Sequence, residues 1–226
     1  MDLHLYEEVL LLALDDDSGK ADATTLYTYA LSAAVLGELL LGGQARLEGE
    51  GKQARVAPTG AAPSACPVAE DAYARIREDA KPRAPGHWIS TLVNANDLVG
   101  RVAARLVGRG VLERVDAKVL WVFSSRRYPA RDPGPERALR TRLAAAIESD
   151  GPIDERTALL VSLLHPTGLL KTALGKDVTK RRAARIESIL AGSALGASTK
   201  EVVETAQFVL AMTILNPGLY VVATSD

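Results

Sequence analysis

Residues 23 to 41 are apolar almost all the way round a helical wheel, through Leu26, Leu31, Ala34, Val35, Leu36, Leu39 and Leu40. A helix with no polar face has to be surrounded, so this segment is expected to be the central buried helix around which the rest of the chain wraps. The opening segment has similar content: Leu3, Leu5, Val9, Leu10, Leu12 and Ala13 recur at near-helical spacing and stop at Asp15-Asp16-Asp17-Ser18-Gly19-Lys20, a turn signature. With 47% hydrophobic and only 4% aromatic residues, the interior must be built from Leu, Ala and Val, which favours helices over sheets.

The remaining pattern predicts a mainly α fold, a single globular helical domain with two small β-hairpins. Gly42-Gly43 ends the second helix, and residues 44–48 and 53–57 flank Gly49-Glu50-Gly51 as a first hairpin. Helices are expected at about 68–80, 86–93 and 97–109, the last closed by Gly110. A second hairpin is expected from 111–114 and 118–123, since Leu120-Trp121-Val122-Phe123 is the strongest strand former in the chain. After a loop at 124–134, four more helices are expected at about 135–149, 154–164, 176–191 and 199–215. The domain is taken as 1–216, with 217–226 as a C-terminal tail after Pro217-Gly218.

Several functions are disfavoured by what is absent. Cys66 is the only cysteine, so no intrachain disulfide and no thiolate metal cluster is available, which fits a reducing cytosol. His4, His87 and His165 are too far apart for a local metal motif, and no metal site or cofactor is expected. Read as a calcium loop, the Asp15-Asp16-Asp17 run would place Leu26, Tyr27 or Thr28 where a glutamate is required. None of the Gly-Lys pairs at 19, 51 and 175 has the spacing of a phosphate-cradling loop, and no serine sits in a nucleophile elbow. An enzyme is not expected. The opening residues lack a positive flank, and Glu7-Glu8 interrupt their apolar stretch, so a secretory signal is not expected. No apolar run reaches the roughly 18 residues a spanning helix needs. Membrane contact would then be peripheral, on the cytoplasmic face.

The net charge of -1 conceals an asymmetry. Residues 1–100 carry 8 basic and 15 acidic side chains (-7), residues 101–142 carry 11 and 4 (+7), and the rest carry 8 and 9 (-1). A concentrated basic segment points to an anionic partner, or else to pairing with the acidic N-terminal third. Arg101, Arg105 and Arg109 stand at i, i+4 and i+8 of one predicted helix and form a stripe that could fork onto phosphates. Lys180, Arg181, Arg182 and Arg185 make a second cluster. No nucleic acid is expected, because exposed aromatic interleaving and overall basicity are missing. In the second hairpin, Trp121 and Phe123 could offer an apolar wedge while Arg126, Arg127 and Arg131 meet lipid headgroups; the alternative is that both aromatic rings pack under the helices.

The order of these features resembles the Golgi phosphoprotein 3 family. The match runs through the segment Leu5-Tyr6-Glu7-Glu8-Val9-Leu10-Leu11-Leu12-Ala13-Leu14-Asp15-Asp16, then Ser18-Gly19-Lys20, then residues 38–48 from Glu38-Leu39-Leu40-Leu41-Gly42-Gly43. It continues at His87-Trp88-Ile89, at residues 105–112 and at Tyr128-Pro129, spanning about 3–215. For its eukaryotic relatives the resemblance implies a mostly helical, non-enzymatic adaptor. Such a protein binds phosphatidylinositol 4-phosphate, inserts a hydrophobic hairpin and bridges Golgi membranes to glycosyltransferase tails. The family's headgroup residues fall here at Ala23, Ser32, Asn96 and Val99, none of them kept; Arg101 is the nearest surviving basic residue. Ala- and Arg-rich usage points to a bacterial-type member.

The expected ligand is therefore an anionic membrane lipid, with a phosphoinositide as its narrower form. Arg101, Arg105, Arg126 and Arg127 are the candidate headgroup-binding residues, and Trp121 and Phe123 the membrane-inserting pair. Protein partners are allowed for, as is a homo-oligomer through the 111–131 hairpin. The alternative is a soluble protein-interaction or regulatory module of the same fold without lipid binding.

Overall fold

The computed structural model describes residues 2–21, 26–49, 53–62, 66–95, 97–119 and 123–192, with 117–119 and 123–125 described by their backbone alone. Among them are ten helices and two antiparallel two-stranded sheets.

Two helices form the centre. Helix α1 (Leu5–Ala13) has all nine residues buried, and α2 (Tyr27–Leu41) is buried from Ala30 to Gly37 and again at Leu39. They pack on one another, and the remaining helices are distributed around them. Helices α3 (Pro67–Glu78) and α4 (Pro85–Val93) lie on α2, whereas α6 (Gly134–Glu148) and α8 (Leu169–Leu174) lie on α1; α5 (Leu98–Gly108) and α7 (Glu155–Leu164) touch both. The central position expected for the second helix is thus shared with the first, the more completely enclosed of the two.

Local chemistry sets the boundaries. Helices α3, α4 and α6 each carry a proline in the first two positions, where the missing N–H costs nothing. The Asp154 side chain caps α7 by accepting the Thr157 amide at 2.9 Å. Gly110, at φ +74°, closes α5, with the Val111 amide reaching back to the Leu106 carbonyl at 2.9 Å.

The first sheet, β1 (Ala45–Glu48) with β2 (Arg55–Pro58), lies where expected, with Leu47 opposite Val56. The second departs from expectation. Its strands are β3 (Val115–Val119) and β4 (Phe123–Arg127), paired from Val115↔Arg127 to Val119↔Phe123. Val111 and Leu112, expected in the first strand, are core residues at 1% and 2% exposure. Hydrophobic burial claimed them, and the ladder starts where the chain leaves the core. The expected loop at 124–134 correspondingly gives its first four residues to β4. Residues 120–122, expected as the heart of a strand, lie outside the described residues.

Two more differences lie near the C-terminus. The short α8 was not expected, being too short to show a period, and the helix expected at 176–191 is two, α9 (Lys176–Arg181) and α10 (Ala183–Leu190), broken at Arg182. The helix expected at 199–215 and the tail beyond 216 lie outside the described residues. No described helix is long and apolar enough to cross a membrane.

Candidate functional site

The three arginines of the predicted stripe do lie along one side of α5, and each meets a carboxylate from the N-terminal third of the chain. Arg101 donates to Asp71 at 3.0 Å and to the Pro67 carbonyl at 3.2 Å. Arg105 Nε donates to Glu7 Oε1 at 3.1 Å, and Arg109 Nη1 to Glu7 Oε2 at 3.0 Å. Glu7 has no solvent exposure, and its Oε2 also accepts the His4 amide at 2.8 Å. A buried carboxylate needs such a complete set of donors, because an unpaired one would cost several kcal/mol.

Glu8, the next residue, lies on the other side of α1 and pairs with Arg142 of α6 at 2.9 Å and Arg156 of α7 at 3.7 Å. Arg156 also holds Glu38 of α2 at 3.3 Å and the Leu3 carbonyl at 2.7 Å. Burial pushes the Glu8 carboxyl up and the two guanidiniums only partly offset it, so Glu8 titrates above the ordinary carboxylate range. Burial acts on Glu38 in the same sense, but donors from His4, the Leu5 amide (2.6 Å) and Arg156 outweigh it, so Glu38 titrates low. These buried acids were not singled out in the sequence, although two adjacent glutamates inside an otherwise apolar helix are the signal that finds them.

The hairpin arginines lie in a different setting. Arg126 is exposed and pairs with Asp97, the left-handed residue (φ 53°) whose side chain caps α5 by accepting the Gly100 amide at 3.2 Å. Arg127 is half-buried, and its Nε, shut away from solvent, has no hydrogen-bond partner among the described residues. Arg131 is exposed in the loop that follows. The structure therefore puts Arg126 next to the start of α5, where Arg101 begins its stripe, while Arg105 and Arg109 turn inward toward α1. Trp121 lies outside the described residues, and Phe123 is described only as the first residue of β4.

The hairpin is anchored at one end. The Tyr128 amide donates to the Gly19 carbonyl at 3.0 Å, the Ala130 amide to the Asp16 carbonyl at 2.9 Å, and Leu112 bridges to Ala130. Beyond this base, among the described residues, the two strands pair with each other, and Arg126 reaches Asp97 at the start of α5. Val115, at 39% exposure, is one of two large hydrophobic residues the described surface leaves open.

The second basic cluster has an internal use. Arg182 Nε donates to the Ile147 carbonyl at 2.8 Å, Arg185 donates to Ala146 at 3.4 Å and Gly151 at 2.6 Å, and Arg181 pairs with Glu148. Cations on the last carbonyls of α6 complement the negative end of its dipole.

At the positions where the family resemblance puts headgroup residues, Ser32 is buried with its hydroxyl donating to the Thr28 carbonyl at 2.9 Å, and Val99 packs against the core. Ala23 and Asn96 lie outside the described residues. Comparison with curated proteins gives no match. A family model described as Golgi phosphoprotein 3 (GPP34) matches residues 5–206, nearly the whole described chain together with its two central helices and the hairpin. The chain belongs to the Golgi phosphoprotein 3 family.

Proposed function

We propose that this chain is a peripheral, non-enzymatic adaptor-type protein that holds anionic or phosphorylated lipid headgroups with Arg126 and Arg127 and lays Trp121 and Phe123 into the lipid. The observation that carries this reading is the form of the second hairpin. It is fastened at its base to the turn at 16–19, its strands pair from Val115↔Arg127 to Val119↔Phe123, and the sequence between them, Leu120-Trp121-Val122, is the most apolar stretch of the segment. An apolar sequence followed closely by cations is what an interfacial anchor needs.

The arginines are not equivalent for this purpose. Releasing Arg105 would leave Oε1 of the fully buried Glu7 without its donor, at a cost of about 1–3 kcal/mol, which one headgroup contact worth about 1 kcal/mol does not readily return. Arg126 holds an exposed partner that salt screens readily, so a phosphate can take the place of Asp97. Arg101, a third exposed, lies between these cases and would extend the surface from α5. The working pair is therefore Arg126 and Arg127, with Arg101 and Arg105 as the flank.

Liposome flotation tests this. Vesicles of phosphatidylcholine containing phosphatidylglycerol or phosphatidylinositol 4-phosphate should carry the protein up at low salt and release it at high salt. Arg126→Ala with Arg127→Ala should weaken binding about 10-fold or more, as should Trp121→Ser with Phe123→Ser. Failure to float with any lipid removes the reading.

A second reading, a soluble protein-interaction module of the same fold, is favoured by the α5 stripe spending its charge on Asp71 and Glu7. The open edges of β3 and β4 would then serve pairing with a second copy through the 111–131 segment. Light scattering that finds only monomer at high concentration excludes that pairing.

A further inference from the structure

Between the start of α1, the end of α2 and the front of α6 lies an open cavity of about 820 Å³. Its wall carries four carboxylates, Asp2, Glu8, Glu38 and Asp132, against two guanidiniums, Arg142 and Arg156, with His4 beside them. Both guanidiniums face carboxylates, although Nε and Nη2 of Arg142 make no hydrogen bond among the described residues. Arg142 is 2.9 Å from Glu8 Oε1, and Arg156 is shared among Glu8, Glu38 and the Leu3 carbonyl. At the rim, Asp132 accepts the Gly134 amide at 2.9 Å, a neutral donor that leaves its charge uncompensated, and Asp2 has an exposed side chain while its carbonyl accepts from Arg109 at 2.7 Å.

The wall also holds an unmet acceptor. Glu8 is 3% exposed, and its Oε2 has no hydrogen-bond partner among the described residues. A buried carboxylate oxygen without a donor, on a residue that lines a cavity, is uncommon in a fold, and a donor supplied from outside satisfies it. No group of three or more described carboxylate, imidazole or thiol side chains could hold a metal ion, so the acids are too dispersed for a compact cation. Leu3, Pro135, Ala138 and Leu139 supply an apolar stretch of wall between the charges.

We infer that this cavity binds an organic cation on an aliphatic stem, an ammonium or guanidinium. Glu8 would take the charged head, Asp2 and Asp132 would draw it in from the rim, and the apolar wall would hold the stem. The same chemistry is offered by a free diamine or guanidine and by a basic side chain. An anion would have to pass Asp2 and Asp132, and in the wall it would meet Glu8 and Glu38 beside Arg142 and Arg156. A bound cation also favours the ionised form of Glu8, whose other charged neighbours are Glu38, Arg142 and Arg156, so binding should expel a proton and tighten as pH rises.

Isothermal titration of the full chain with cadaverine, agmatine and Nα-acetyl-lysine amide tests the inference, with glutarate and pentanol as anionic and neutral controls. We expect saturable binding of the cations alone, stronger at pH 8 than at pH 6. Asp2→Asn and Asp132→Asn should each weaken it by up to about 5-fold, since asparagine keeps the Oδ1 that accepts the Gly134 amide. Glu8→Gln tests the inner position where circular dichroism shows that it folds; the rim variants keep the test valid if it does not. Tighter binding of the capped lysine than of cadaverine assigns the source to a partner's side chain, and the reverse order to a small molecule. The inference is overturned if no cation binds, if glutarate binds instead, or if the rim variants bind as tightly as the parent.

Discussion

Glu7 Oε1 accepts a 3.1 Å hydrogen bond from Arg105 Nε across 98 residues of sequence, joining the first helix to the fifth inside the protein. With Arg109 and the His4 amide on Oε2, the carboxylate is fully paired. Glu7→Ala should therefore destabilise by about 3–5 kcal/mol, because two half-buried guanidiniums lose their counter-charge at once. Replacing Glu7, Arg105 and Arg109 together with apolar residues of similar volume should cost much less. Urea denaturation of both variants decides it, and equal losses would show that the ion triad is not what holds α1 to α5.

Gly19 links that first helix to the hairpin. Its φ is +62°, and a Cβ there would lie 2.2 Å from the Pro129 nitrogen and 2.4 Å from Tyr128 backbone atoms, which cannot swing aside as a side chain can. Gly19→Ala should cost about 3 kcal/mol or more, combining a left-handed backbone with a clash against the hairpin base. Hydrogen exchange should show the loss first at the Tyr128 and Ala130 amides, which bond to Gly19 and Asp16.

Much of the helical frame was legible in the residues, because leucine and alanine spacing and Gly110 act locally. The arginine stripe was also correctly placed on one side of α5. What the period could not supply was the neighbour of that side. Whether Arg105 faces water or Glu7 is decided by the packing of α1 on α5, a contact between distant segments. The charge imbalance between residues 1–100 and 101–142 allowed both pairing and an anionic partner, and the pairs at Asp71, Glu7 and Asp97 realise the first for Arg101, Arg105, Arg109 and Arg126. In the hairpin, strand propensity favoured 120–123, whereas burial of Val111 and Leu112 moved the ladder onward.

The C-terminal basic cluster should matter for stability and not for membranes. Arg182 and Arg185 cover carbonyls at the end of α6, so Arg182→Ala and Arg185→Ala should each cost about 1 kcal/mol. Flotation with anionic vesicles should be unchanged within error. A variant that keeps its denaturation midpoint but loses flotation would transfer the lipid role to this cluster.

Glu136 makes stability depend on pH in a direction opposite to that of an ordinary paired carboxylate. It is 4% exposed at the start of α6; burial first, and then a hydrogen bond with Asp16, push its pKa up to about 7 against the pull of Arg140, 2.5 Å away. The protonated carboxyl can donate to Asp16, whose backbone carbonyl receives the Ala130 amide below the hairpin. A folded pKa above the unfolded one means that the native state binds more protons between pH 4.5 and about 7. The stabilisation is therefore complete below that window and is lost as pH rises through 7, with a magnitude of up to about 3 kcal/mol. Urea midpoints should fall from pH 5 to pH 8, and Glu8, also raised, contributes in the same sense. Glu136→Gln keeps a donor for Asp16 and an acceptor for Arg140 but cannot ionise, so it should flatten the Glu136 share of that slope and leave the rest. Identical slopes in the two proteins would mean that Glu136 does not carry the proton.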